Sequence, residues 1–235
     1  MRCIGARSLI RARVGVATQS GRAYYQITSF LKQVRIPYVD VIPDAQRLSM
    51  HKNNCSAPLC NSNLLIITTR RERLQIAGNV VCLEDLGDDA GLAKQKLFSI
   101  LYPLKESDWF VVGIDPGERT GLAAFMNQVE VESAVFRSIE DTLTRVQALL
   151  DNAPNMRKMV KIGAGMPKLA DKLATDLGSK YDPEKVRIQL VDERGTSSLY
   201  RSGKNSFLTR DQRAAKLIAF REGIDYFSQK TKIFH

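Results

Sequence analysis

Cysteine is scarce in this sequence and long apolar runs are missing, and each absence excludes a class of protein. Four cysteines in 235 residues do not resemble the dense disulfide framework of small secreted domains. No stretch approaches the roughly 20 consecutive apolar residues of a membrane-spanning helix, and no apolar signal-peptide region follows the basic start. We therefore expect a soluble, intracellular, cytoplasmic protein with no membrane partner.

Acidic residues are missing from the first 22 positions, MRCIGARSLIRARVGVATQSGR, which carry several arginines. An organellar transit peptide has that composition. The alternative is a short basic lead-in to a first strand at residues 13–18, which the apolar letters VGVA favour.

Acidic residues are also in the minority over the whole chain. The 35 Lys and Arg residues against 25 Asp and Glu give a formal charge of +10, which favours a polyanionic partner such as nucleic acid. The first 50 residues alone hold eight basic residues against two acidic ones. The amino-terminal half could therefore contribute to nucleic-acid binding or form a dimer interface. The length and the 44% hydrophobic content allow two small domains or one large one.

Residues 13–100 alternate between apolar runs typical of strands and amphipathic segments typical of helices. We predict strands at 13–18, 38–43, 64–69 and 79–86, and helices at 21–34 and 88–104. The stretch 46–63 is too rich in Asn, Ser and Pro for either element. Such alternation indicates a small α/β domain with a mainly parallel sheet, which we assign to residues 1–105.

That polar stretch places His51, Cys55 and Cys60 in one loop, and with Cys82 they would make four nitrogen and sulfur ligands for zinc. Their spacing lacks the usual Cys-x-x-Cys pair, and Cys82 lies in an apolar strand where a free cysteine packs well. We therefore leave this group out of the predicted functional site.

Residues 106–235 have a different order of elements. We predict strands at 110–115, 120–127, 129–136, 159–165 and 186–193, and helices at 138–152, 167–178 and 209–227. Short turns separate the first three strands, so they form a meander. The order is βββαβαβα, with a mixed sheet.

Three motifs in this half resemble those of the RuvC/YqgF branch of the RNase H-like fold. GIDPGERTGLA at 113–123 is similar to the first-strand motif, VDERGTSS at 191–198 to the fifth-strand motif of YqgF-like proteins, and DQRAAKLIAF at 211–220 to their carboxy-terminal helix. The resemblance covers about half of the chain. It implies an RNase H-like α/β domain with metal-dependent endonuclease activity.

The resemblance implies that Asp115, Glu193 and Asp211 are the catalytic carboxylates and hold Mg²⁺ or Mn²⁺. Phosphodiester hydrolysis needs a hard cation, and carboxylate oxygens suit such ions. Strand alternation sends Asp192 and Glu193 to opposite faces, and the resemblance favours Glu193. The small residues in AAKLIA would let the last helix lie close to the sheet and bring Asp211 near Asp115.

Each acidic residue also has a purely structural interpretation. Asp-Pro-Gly at 115–117 is ordinary turn chemistry, and Asp192 with Glu193 could be an exposed charge cluster at a strand end. Asp211 could serve only the dipole of its helix. Gly113 and Gly117, next to Asp115, lack a Cβ, so we expect that they let a substrate backbone approach.

The sequence departs from the wider RuvC pattern at the fourth strand, which ends in IGAGMP instead of an acidic residue. YqgF-like proteins also have Gly-x-Pro there, so this departure favours the YqgF-like version. The segment between Glu193 and Asp211 is shorter than expected for YqgF, so the sequence also departs from that pattern just before Asp211.

That segment is basic and rich in serine, which suits phosphate contacts. The residues that we expect to bind nucleic acid are Arg194, Arg201, Lys204 and Arg210. Tyr200 or Phe207 could stack on an unpaired base. The alternative is a solvated loop without a ligand.

The expected activity is structure-selective cleavage of branched DNA, as in Holliday-junction resolution, which would require a homodimer because paired incisions need two active centres. Processing of structured RNA is the alternative within the same family. A non-catalytic nucleic-acid-binding protein with a degenerate metal site is the alternative from another class.

Overall fold

The computed structural model describes residues 14–41, 64–76, 78–102, 104–192 and 209–227. The chain divides into two units, Met1–Pro103 and Leu104–His235, which puts the division two residues before the boundary predicted at residue 106. Within the described ranges, no helix has both the length and the apolar character needed to cross a membrane.

The first unit contains the parallel sheet that the sequence predicts, in the strand order β2-β1-β3-β4. Its strands are β1 (Val14–Val16), β2 (Tyr38–Asp40), β3 (Leu65–Thr68) and β4 (Asn79–Cys82). Its described helices are α1 (Gly21–Gln33), α2 (Leu83–Leu86) and α3 (Ala90–Leu101), with a short 3₁₀ turn at Arg73–Gln75.

Helix α2 corrects the prediction of a strand through residue 86. The neighbouring strand β3 ends at Thr68, which pairs with Cys82, so a longer β4 would have no partner for its backbone groups. The chain turns into a helix instead, and Glu84 accepts a hydrogen bond of 3.0 Å from the backbone N–H of Arg70. Cys82 is buried, as expected of a core cysteine.

The second unit contains a mixed sheet in the strand order β10-β9-β8-β5-β6-β7. Its strands are β5 (Trp109–Asp115), β6 (Thr120–Met126), β7 (Val129–Phe136), β8 (Arg157–Gly163), β9 (Val186–Val191) and β10 (Ile224–Asp225). Its described helices are α4 (Ile139–Asp151), α5 (Pro167–Lys180) and α6 (Arg210–Phe220). The strands β5, β6 and β7 are antiparallel neighbours, whereas β5, β8 and β9 are parallel.

The predicted order βββαβαβα agrees with the elements from β5 to α6. The tight turn between β6 and β7 has Asn127 and Gln128 at φ 46° and 72°, as a two-residue hairpin turn requires. Ser138 begins α4 by accepting a hydrogen bond from the backbone N–H of Asp141, so this predicted cap is confirmed.

Alternation along β5 divides its side chains between two helical layers. Val112 and Ile114 are fully buried and point to the face that α4 and α5 cover with their own buried leucines. Gly113 points to the other face, where α6 packs on β5 and β6. The sheet therefore has helices on both sides, and α6 alone among the described helices of this unit covers the second face.

Two helix ends in this unit differ from the prediction. The last helix ends at Phe220 instead of residue 227, because Gly223 brings the chain back against β9, where a Cβ would lie 2.9 Å from the Leu190 carbonyl oxygen. The strand β10 then pairs antiparallel with β9. Helix α5 continues past Gly178 to Lys180, because Gly178 faces the ring of Phe227 and does not cap the helix.

Candidate active site

Three parallel strands of the mixed sheet end at one edge. The strands β5 and β8 are in register at Ile114 and Ile162, and β8 and β9 are in register at Gly163 and Val191. Asp115 is the last residue of β5 and is partly buried. The carboxyl ends of these strands therefore place Asp115 at the kind of edge where open α/β sheets bind ligands.

Helix α6 begins directly above this edge. Asp115 pairs with Gly121 on β6, and a Cβ on Gly121 would lie 2.1 Å from the carbonyl oxygen of Asp211. Paired residues of an antiparallel ladder point to one face, with Cα atoms about 5 Å apart. The structure therefore brings Asp115 and Asp211 to one corner of the sheet.

A second glycine lets the rest of α6 lie flat on the sheet. A Cβ on Gly113 would lie 2.2 Å from the carbonyl oxygen of Ala215 and 2.7 Å from the backbone nitrogen of Ala219. The close approach expected of the small residues in this helix is confirmed. The space above Gly113 is occupied by α6, so the prediction that it admits a substrate backbone is wrong.

The structure gives Gly117 and Gly121 two further roles in close packing. A Cβ on Gly117 would meet the carbonyl oxygen of Arg119 at 3.2 Å, so Gly117 relieves crowding within its own turn. Gly121 follows this turn as a buried residue of β6. Its role is to make room for the first turn of α6.

Three side-chain interactions hold the beginning of α6 in place. Thr209 and Gln212 form a reciprocal capping box, which satisfies backbone donors of the first turn. Gln212 also donates from Nε2 to the carbonyl oxygen of Ser133 on β7, at 3.1 Å. One turn further on, Lys216 forms an ion pair of 2.5 Å with Glu130. These contacts fix the position of Asp211 through its backbone.

Arg119 is the cation nearest to this corner among the described ion pairs. Its Nε lies 3.3 Å from Oδ2 of Asp211, and the two side chains are 54% and 26% exposed. Arg119 belongs to the turn between β5 and β6 and was not selected from the sequence. Its place two residues before Gly121 in the GIDPGERTGLA motif is the signal that could have identified it.

Several residues that the sequence singles out lie outside the described ranges. These are the third carboxylate and three of the expected basic contacts, Glu193, Arg194, Arg201 and Lys204, together with His51, Cys55 and Cys60. Arg210 is described: it is the exposed first residue of α6 and therefore lies at the same edge. Asp192 is exposed, and its backbone oxygen accepts a hydrogen bond of 3.0 Å from Nη1 of Arg221.

The described residues fit a hard cation in one specific way. Within the described ranges, no group of three His, Cys, Asp or Glu residues could hold a metal ion. Mg²⁺, however, is commonly bound through one or two carboxylates, with substrate phosphates and water completing its shell. Asp115 and Asp211 match that donor set, and the N-terminus of α6 adds backbone N–H groups that favour a phosphate.

Comparisons with known proteins give little beyond the sequence and the structure. Neither a protein-family model nor a curated protein matches the chain. The chain is similar to the solved structure of Marinitoga piezophila Argonaute in complex with 5′ OH guide RNA and target DNA, at a TM-score of 0.28 and 7% identity. That similarity covers 77% of this chain and 39% of the Argonaute chain. Neither fold nor function follows from a likeness at that TM-score.

Proposed function

We propose that the second unit is an RNase H-like domain of the RuvC/YqgF-like kind and that it is a metal-dependent endonuclease for branched DNA. The observation that carries the proposal is the meeting of Asp115 and Asp211 at the carboxyl edge of β5, beneath the start of α6. The element order βββαβαβα and the mixed sheet also support it.

The proposed site would hold Mg²⁺ or Mn²⁺ through Asp115 and Asp211, with Glu193 as the third ligand. When bound, such an ion would polarise a phosphoryl oxygen and help to generate hydroxide for in-line attack on the phosphodiester. Arg119 and Arg210 lie at the same edge and supply positive charge for the phosphates of the scissile strand. Helix α6 positions Asp211 because its backbone rests on Gly121.

The proposal is tested by incubating the intact protein with a labelled four-way DNA junction, a DNA fork, a plain duplex and a hairpin RNA. Each substrate is assayed with Mg²⁺, with Mn²⁺ and with EDTA. We expect cuts in the junction that need the metal, placed symmetrically across the branch if a homodimer acts. Cleavage of the hairpin RNA alone would support the YqgF-like alternative, and no product with any metal would contradict nuclease activity.

The ion pair between Arg119 and Asp211 favours a second candidate function, a nucleic-acid-binding protein without catalysis. A guanidinium beside Asp211 neutralises one of the two carboxylates at this corner, Asp115 and Asp211, and can take the place of a metal ion. This candidate predicts salt-sensitive binding to structured nucleic acid, no metal-dependent product, and unchanged binding when Asp115 is neutralised.

Arg119→Ala tests whether the guanidinium of Arg119 and a metal ion compete for Asp211. If Asp211 binds the metal, removal of the competing guanidinium should lower the Mn²⁺ concentration for half-maximal cleavage by up to about five-fold, because exposed ion pairs contribute about 0.2–1 kcal/mol. The measurement is a Mn²⁺ titration of the cleavage rate at saturating substrate.

Arg70→Ala is the matched control for this variant, since it removes the exposed ion pair of 2.5 Å with Asp85 in the first unit. It should leave the Mn²⁺ titration unchanged. A titration curve for Arg119→Ala that does not move would contradict metal binding by Asp211.

A further inference from the structure

A second cluster of basic residues lies at the opposite edge of the mixed sheet, around the single tryptophan of the chain. Trp109 begins β5 and is in register with Arg157, the first residue of β8. The Cζ atoms of Arg157 and Arg187 lie 5.5 Å and 5.9 Å from the centroid of the Trp109 ring. Arg187 is in register with Met159, so alternation along β8 places all three side chains on one face.

The pocket around this tryptophan is strongly positive. It has a volume of about 190 Å³ and is lined by Trp109, Arg157, Lys158, Glu184, Lys185 and Arg187, so four cations face one carboxylate. In the part of the chain that the structure describes, Arg157, Lys185 and Arg187 form no ion pair. Their charge is therefore available to an anion from outside the described chain.

The remaining lysine of the pocket differs from these three cations. Nζ of Lys158 donates a hydrogen bond of 2.7 Å to the carbonyl oxygen of Leu150, and burial lowers the pKa of Lys158. Lys158 therefore already uses one of its donors within the protein, and the two exposed arginines are the better donors to a ligand.

The indole explains how two guanidinium groups can share this place. Like charges repel, but each guanidinium gains about 0.5–1 kcal/mol from the face of an aromatic ring at an exposed site. A guanidinium that lies over a ring still presents its N–H edge, which matches the geometry of a phosphate. Trp109 therefore orders Arg157 and Arg187 before a ligand arrives, which reduces the entropy lost on binding.

The size of the pocket limits what it can accept. Most pockets for small molecules and cofactors enclose about 300–1,000 Å³. A pocket of about 190 Å³ lies below that range, so it is small for a whole cofactor. A polymer that passes over the pocket fits this size better than a separate cofactor.

The cluster lies on the same face of the sheet as the candidate active site. Trp109 and Asp115 are both residues of β5, and an even spacing along a strand places side chains on one face. The rise of a strand gives a separation of about 20 Å. Helix α6 packs on the residues between them, Val111 among these. Helix α6 therefore separates the cluster from the acidic corner on this face.

We propose that Trp109, Arg157 and Arg187 form a binding site for the phosphate backbone of a single nucleic-acid strand, separate from the acidic corner. The nature of the ligand rests on the proposed function, whereas the site itself rests on the cluster. Aromatic rings combined with arginines are the pattern by which proteins bind single strands without sequence preference.

The test measures binding of a fluorescent 12-nucleotide oligo(dT) by anisotropy, without divalent metal, over a range of NaCl concentrations. Arg157→Ala combined with Arg187→Ala should weaken binding roughly ten-fold at low salt. It should also make the slope of log K against log salt shallower by about 1.4, since each phosphate contact to a single strand contributes about 0.7. Trp109→Phe, which keeps an aromatic face, should have a smaller effect.

Lys172→Ala combined with Lys180→Ala is the matched control, because it removes two exposed cations from α5. It lowers the net charge equally, and its salt slope should remain that of the wild-type protein. An equal loss in this control would overturn the proposal in favour of a general charge effect. Wild-type protein that does not bind oligo(dT), or a duplex that loses as much affinity as the single strand, would also overturn it.

This result can be distinguished from failure of the proposed nuclease. Binding is measured without metal and without cleavage, so a protein that never cuts DNA could still show the expected change in slope. Conversely, a protein that cuts the junction while the arginine variant binds oligo(dT) normally would retain the proposed function and lose this site.

Discussion

Asp115→Asn is expected to abolish metal-dependent cleavage while the protein still binds the DNA junction. The substitution keeps the shape of the side chain but removes the charge that a hard cation requires. Charge stabilisation by a bound metal contributes several kcal/mol to the transition state, so we expect the cleavage rate to fall by at least about 1,000-fold. The measurement is single-turnover cleavage of the best substrate, together with the dissociation constant for the same substrate without metal.

Asp176→Asn is the control for the loss of one carboxylate, because Asp176 lies on α5, on the other side of the sheet. It should cleave at the wild-type rate. A second pair of variants, Asp192→Asn and Glu193→Gln, tests which of these two adjacent acidic residues joins the site, and we expect the larger loss for Glu193→Gln. Asp115→Asn protein that cuts at the wild-type rate would contradict the proposed metal site.

The sequence predicts most of the elements in the described part of the second unit because local patterns and packing agree there. The strand at residues 129–136 has the predicted bounds, since an alternating pattern follows a tight turn at Asn127 and Gln128. Helix α4 begins at a serine cap with acidic residues in its first turn. Such signals lie within a few residues of the element that they define, so no tertiary information is needed to read them.

Three of the misplaced boundaries depend on residues that are distant in sequence. The strand β4 stops at Cys82 because its partner β3 stops, and Gly178 lies within a helix because Phe227 packs against it. The end of α6 depends on Gly223 approaching β9. Periodicity along the chain contains no information about these partners.

In the candidate site, too, features defined by local sequence could be predicted, and features that depend on distant residues could not. Asp115 and Asp211 could be selected because each lies at the end or the beginning of an element and matches a motif. The role of Gly121 could not be predicted from the sequence, because it follows from the pairing of Gly121 with Asp115 and from its contact with the backbone of α6. Arg119 was missed for a related reason, since an exposed arginine in a turn shows its partner only when the helix is in place.

Gly121→Ala is expected to destabilise the second unit and to displace Asp211. The added Cβ would lie 2.1 Å from the carbonyl oxygen of Asp211 and 2.6 Å from its carbonyl carbon, which are backbone atoms held by the capping box. Either β6 or the first turn of α6 must move. Overpacking of this kind costs about 1–3 kcal/mol, and occasionally more.

The stability change can be measured by urea unfolding followed by fluorescence, because the single tryptophan is Trp109 in β5 and reports on this unit. Gly21→Ala is the control, since a Cβ at Gly21 meets nothing within 4 Å. It should leave the tryptophan transition unchanged. A Gly121→Ala protein as stable as the wild type would show that α6 does not rest on β6 as described.

Gly113→Ala separates loss of stability from displacement of the acidic corner. Its Cβ would also clash with α6, at Ala215 and Ala219, so a similar loss of stability is expected. These contacts lie one and two turns beyond Asp211, where a shift of the helix moves the carboxylate less. At a temperature at which both variants are folded, Gly121→Ala should therefore lose the larger share of metal-dependent cleavage. Equal loss in both variants would mean that activity follows the stability of the unit and not the position of Asp211.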